Sequence, residues 1–94
     1  MNNHVFNNIF SGTKVVGTTP VQVGSQVVNR EVTLLAGSGN FGSVYVGQSG
    51  VSTSGTAAGY PLASNVQVTL SIDNTDKIWA VSQSGNNLLH WILT

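Results

Sequence analysis

Only 6% of the 94 residues are charged, against about 25% in an ordinary soluble domain, and three basic and three acidic side chains cancel to a formal net charge of zero. Lys14, Arg30 and Lys77 are too few and too scattered to track a nucleic-acid backbone, and no apolar run approaches the roughly eighteen residues of a membrane-spanning helix. With no cysteine there are neither disulfides nor thiolate metal sites, and a 40% hydrophobic content rich in β-branched residues predicts one packed β domain. Ser, Thr, Asn and Gln carry almost all of the polarity. A free monomer normally keeps a charged surface to avoid self-association, so this composition predicts a protein that works assembled with others.

In chain order, residues 1–12 stand apart, with four Asn and two apolar pairs, Val5-Phe6 and Ile9-Phe10. They are expected to form an arm that orders on a neighbouring subunit or a shell surface, the alternative being a first strand of the chain's own domain. The same residues lack the basic and continuous apolar regions of a signal peptide, which predicts a chain made and used in a cytoplasm. Residues 13–94 then read as a single β domain.

Strands are predicted at 14–16 and 21–23, divided by Gly17 and Pro20, with 27–28 as an extension. A firmer strand at 31–36 puts Val32 and Leu34 on one face. GSGN at 37–40 is a turn, and 41–46 is expected to return antiparallel to its predecessor through it. Residues 47–65 form a long Gly/Ser/Thr/Ala loop that either contacts a partner or tucks Tyr60-Pro61-Leu62 back into the core.

The last third predicts strands at 66–72, 77–82 and 87–93, joined as a meander through DNTD and QSGNN. In the first of these, Val66, Val68, Leu70 and Ile72 alternate with Gln67, Thr69 and Ser71, the period of a half-buried strand. The last has Leu88, His90 and Ile92 on one side and Leu89, Trp91 and Leu93 on the other, so neither side is polar. Such a strand needs cover on both faces, and a subunit contact is expected at Leu89, Trp91 and Leu93. About seven short strands with frequent turns and no helical period predict an all-β fold, an antiparallel β-sandwich or small barrel.

Catalysis has little to work with. The titratable candidates are His4, His90, Glu31, Asp73 and Asp76, dispersed among arm, strands and turns. Asp73 suits an Asx turn better than a general acid or Ca²⁺ ligand, and His90, between Leu and Trp, suits a hydrogen-bonded core or interface position. No G-x-S-x-G elbow occurs, and GSGNFG at 37–42 lacks the Lys and the helix of a phosphate loop. A non-enzyme with no catalytic residue, cofactor or metal is expected. Trp79, Trp91, Tyr45 and Tyr60 leave one alternative open, an aromatic platform of a carbohydrate- or receptor-binding module, against the plainer role of core and interface anchors.

The segments VTLLAGSGN, SVYVGQSGV, GYPL and VQVTLSIDN follow one another within residues 31–81. In that order they resemble small virion proteins of tailed bacteriophages, of the capsid decoration or cement type. The resemblance implies a structural protein on the outer surface of a phage head, assembled in the host cytoplasm. Its partners would be the major capsid protein and itself, as a homotrimer. Head-fibre, tail and adaptor proteins are neighbouring roles with the same composition.

Overall fold

Runs of Val, Leu, Ile and Thr favour extended backbone, and the Gly, Pro, Asn and Ser residues between them keep each run short. In the computed structural model, which describes residues 10–28 and 30–93, these runs form eight strands. They are β1 (Ser11–Val16), β2 (Val21–Gln22), β3 (Val32–Ala36), β4 (Val44–Gly47), β5 (Tyr60–Leu62), β6 (Gln67–Leu70), β7 (Trp79–Ser82) and β8 (Asn87–Leu93). One four-stranded sheet has the order β1-β8-β3-β6 and the other β2-β7-β4-β5, with every pairing antiparallel. This is a β-sandwich, and its strand order is that of a jelly roll.

The register reveals how the order arises. Ser11 pairs with Ile92, Val16 with Asn87, Val21 with Ala80, Val27 with Asn74, Val32 with Leu70 and Val44 with Leu62. The chain is thus one long antiparallel ribbon whose tip lies between β4 and β5. It folds over on itself so that β8 also pairs with β3, and β7 with β4. Between the sheets lies a core of Val16, Val32, Leu34, Ala36, Val44, Leu62, Ala80 and Leu89, all shielded from solvent.

Two expected connections are therefore corrected. The strand after GSGN does not return beside β3 but crosses to the opposite sheet, and the last three strands are not a meander, since β6, β7 and β8 alternate between sheets. Two asparagines account for the first crossing. Asn40 accepts from the Leu88 N–H (2.8 Å) and donates to the Leu88 carbonyl (2.9 Å), which ties the start of the crossover to β8. Buried Asn87 accepts from the Phe41 N–H (2.8 Å) and donates to the Ser82 hydroxyl and the Ser84 carbonyl, which ties the crossover to the end of β7.

Boundaries shift as well. Lys77, expected to open a strand, instead ends a 3₁₀ turn over residues 75–77, capped where the Asn74 side chain accepts from the Asp76 N–H (2.9 Å). The 47–65 loop contains β5, with Leu62 in the core and Pro61 exposed. β1 begins at Ser11, so Ser11 and Gly12, expected in the arm, belong to the sandwich.

Candidate interface surfaces

On β8 the side chains divide by parity. Asn87, Leu89, Trp91 and Leu93 turn inward, with Leu89 at 0% exposure and Trp91 lying over Gly12, where an added Cβ would sit 2.7 Å from the indole. Of the residues expected at a contact, Leu89 is fully enclosed by the chain's own core, while Trp91 and Leu93 are half-buried and packed against it. What β8 offers outward is Leu88 (37% exposed), His90 and Ile92 (40%).

The register extends that outward row across the sheet. Ile92 aligns with Ser11, Thr33 and Thr69; His90 with Thr13, Leu35 and Gln67; Leu88 with Val15, which is 57% exposed. None of these side chains is a carboxylate, a lysine or an arginine. His90 shares a hydrogen bond with the Thr13 hydroxyl (2.8 Å) and Thr33 with Thr69 (2.9 Å), so the polar groups of the face are partly satisfied within it. An open depression of about 330 Å³ is lined by Thr13, Thr33, Leu35, His90 and Ile92.

The outer face of the second sheet is treated differently. Val51, at the base of the β4–β5 tip, packs on the outward side of Gly47, where a Cβ would meet it at 2.9 Å, and both Val51 and outward-facing Val81 are buried. A backbone link from the Ser52 N–H to the Ala57 carbonyl (2.9 Å) and from the Gly59 N–H to the Ser52 carbonyl (3.0 Å) closes the tip. This sheet carries its own cover, whereas among the described residues nothing packs over the outer face of the β1-β8-β3-β6 sheet.

A third feature is a groove of about 470 Å³ along the side where edge strands β5 and β6 face each other. Val46, Val68, Leu70, Ile72 and Ile78 line it, with Tyr60 and Lys77 at its margin. Val68, Leu70 and Ile72 are directed inward as their alternation predicts, yet only half covered, because among the described residues neither sheet has a further strand to close this side.

The aromatic residues do not form one platform. Tyr45 and Trp79 are half-buried on the outer face of the second sheet, Tyr60 stands at the groove, and Trp91 is on the inner face of the first sheet. The titratable candidates are equally dispersed, and among the described residues no three His, Cys, Asp or Glu side chains are grouped to hold a metal. Asp73 pairs with Lys77 at 2.8 Å on the surface; that hydrogen bond holds the Asp73 carboxyl below its ordinary pKa and raises that of Lys77. Glu31 is exposed, and no carboxylate is hydrogen-bonded to the ring of His90 among the described residues. Val5, Phe6, Ile9 and His4 lie outside the described residues; Phe10 opens the described chain, its carbonyl accepting from the Leu93 N–H (3.0 Å).

Compared with known proteins, the chain matches no family model, no curated protein and no solved structure. Sequence reasoning missed Asn40, Asn87 and Gly12, which set the crossover and seat Trp91. The nearest signal was Asn87 itself, a polar residue opening an otherwise mostly apolar strand.

Proposed function

We propose that this protein is a structural virion component of the capsid decoration type, which binds the outside of a phage head through the major capsid protein and reinforces it, as a homotrimer. One observation carries the reading: the outer face of the β1-β8-β3-β6 sheet presents Val15, Leu35, Leu88 and Ile92 with no charged side chain among the described outward-facing residues of its strands. An uncharged face of this kind, with apolar side chains set among Ser, Thr, Gln and His, is what an assembly contact buries. The resemblance across residues 31–81 supports the same reading. The jelly-roll architecture is neutral, since capsid and lectin domains both use it and function resides in sites.

The direct test adds purified protein to heads stripped of accessory proteins and measures co-sedimentation. Saturable binding at a fixed ratio to the capsid subunit is expected, with particles that withstand heating better. Binding should be lost in the Val15→Lys, Ile92→Lys variant, whose changes fall outside the core. Failure to bind heads would remove the decoration reading, and purified particles with the protein only in the tail or fibre would move the role there.

A further inference from the structure

We propose that the groove between β5 and β6 receives the N-terminal segment of a second copy, Val5, Phe6 and Ile9 filling the space that Val46, Val68, Leu70, Ile72 and Ile78 line. This deepens the proposed function and rests only on its self-association half.

The first argument is chemical. The groove is an opening in the core of the sandwich, so a matching occupant must bring apolar side chains and little charge. Residues 1–9 answer that description: Met, Val, Phe and Ile are interspersed with Asn and one His, with no Asp, Glu, Lys or Arg side chain. The neighbouring edge of β6 offers unpaired backbone groups to which an extended segment can add. β5 is the poorer edge, because Pro61 has no N–H to give.

The second argument is reach, and it selects a second copy over the same chain. Phe10, Leu93, Val32 and Leu70 stand in one row across the first sheet, through the Leu93 N–H to Phe10 carbonyl bond and the pairings of Val32. Three strand spacings of about 4.8 Å place Leu70, at the groove, about 14 Å from Phe10. An extended chain covers at most about 3.6 Å per residue, so Ile9 stays within about 4 Å of Phe10 and cannot enter its own groove. Phe6, four residues out, reaches only the near lip with the chain taut. An intramolecular arm therefore cannot bring Ile9 to the groove, while an arm from a neighbour can deliver Val5, Phe6 and Ile9 together. A head-to-tail exchange of this kind closes into a ring when the rotation between copies allows it.

The absence of cysteine makes the test clean. Full-length Phe6→Cys protein is mixed with Gln48→Cys protein, position 48 being an exposed part of the groove wall, and oxidised under dilute conditions. The expected result is a disulfide-linked heterodimer forming at least tenfold faster than between Phe6→Cys and Ser38→Cys, an exposed position in the β3–β4 crossover. No excess over that control overturns the proposal. So does a Phe6→Cys, Gln48→Cys double variant that closes within single chains while the mixture yields no heterodimer. Gln48 and Ser38 are exposed positions outside the core, and circular dichroism of each variant checks the fold. No capsid takes part, so protein that binds heads without crosslinking defeats the groove proposal alone, and protein that crosslinks but ignores heads defeats the decoration reading alone.

Discussion

Asn87 is a polar residue at a position whose neighbours on the same face, Leu89 and Trp91, belong to the core. It is tolerated there because its amide is fully employed, receiving the Phe41 N–H and donating toward Ser82 and Ser84. Asn87→Ala would leave the Phe41 N–H without that partner and open a small void, so a loss of about 3 kcal/mol is expected, read from urea unfolding. At Gly12 the requirement is space. A Cβ there would stand 2.7 Å from the Trp91 indole, so Gly12→Ala should cost about 1–3 kcal/mol, and most of that cost should vanish in a Trp91→Leu background. A double-mutant cycle that shows no coupling would mean that the indole is not what excludes the methyl. Neither residue was legible from composition or periodicity. Gly12 falls among residues expected to be an arm, and Asn at the start of a strand is usually a turn residue; the Gly12–Trp91 and Asn87–Phe41 contacts join positions about 45 or more apart, which no local pattern registers.

At the scale of elements, strand existence was legible and strand membership was not. Alternation in 66–72 and β-branched runs elsewhere locate most strands within a few residues, because extended backbone and turn residues are set locally. Which sheet a strand joins is decided by partners distant in sequence, so the expected 37–40 hairpin and the C-terminal meander fail together. β8 shows the same limit within a single strand. Leu88, His90, Ile92 and Leu89, Trp91, Leu93 are nearly equivalent as patterns, and only packing against β1 and β3 assigns the second set to the core. The two sets should respond oppositely to substitution. Leu89→Ala is expected to cost about 2–5 kcal/mol, as for a fully enclosed leucine, whereas Ile92→Lys should change stability by less than about 0.5 kcal/mol and act on assembly alone. Co-sedimentation with stripped heads beside thermal unfolding separates these effects; an Ile92→Lys protein that binds heads like the parent would exclude this face from the contact. The link between β6 and β7 contributes a weaker, pH-dependent element. The lowered Asp73 pKa favours the folded state above its ordinary range and loses that effect as pH falls through the lowered value, while raised Lys77 loses its effect only at strongly alkaline pH. Both groups are well exposed, so stability should be flat through neutral pH and Lys77→Met should leave the unfolding midpoint almost unmoved.

Across the whole molecule, the nested register has a consequence for how the chain can be divided. In the orders β1-β8-β3-β6 and β2-β7-β4-β5, every pair of neighbours joins one strand from β1–β4 to one from β5–β8. Neither half of the chain contains two strands that pair with each other. An isolated half has no ladder and no closed core, and ordering it would cost conformational entropy without a compensating contact. The tip between β4 and β5 is the natural point of division, and Ser54 and Gly55 are both exposed there. Residues 1–54 and 55–94, produced separately, should each show the circular dichroism of an unfolded chain, while an equimolar mixture should regain the β spectrum and near-ultraviolet tryptophan signal of the intact protein. Reassembly should be second order, and the melting temperature of the complex should rise with concentration, as mass action requires when folding and association are one event. Intact protein should refold slowly for its length, in milliseconds to seconds, since Ser11 must find Ile92 and every ladder closes a long loop. Stable β structure in either fragment alone would contradict the ribbon register, and fragments that never recombine would show that the tip does more than connect two strands.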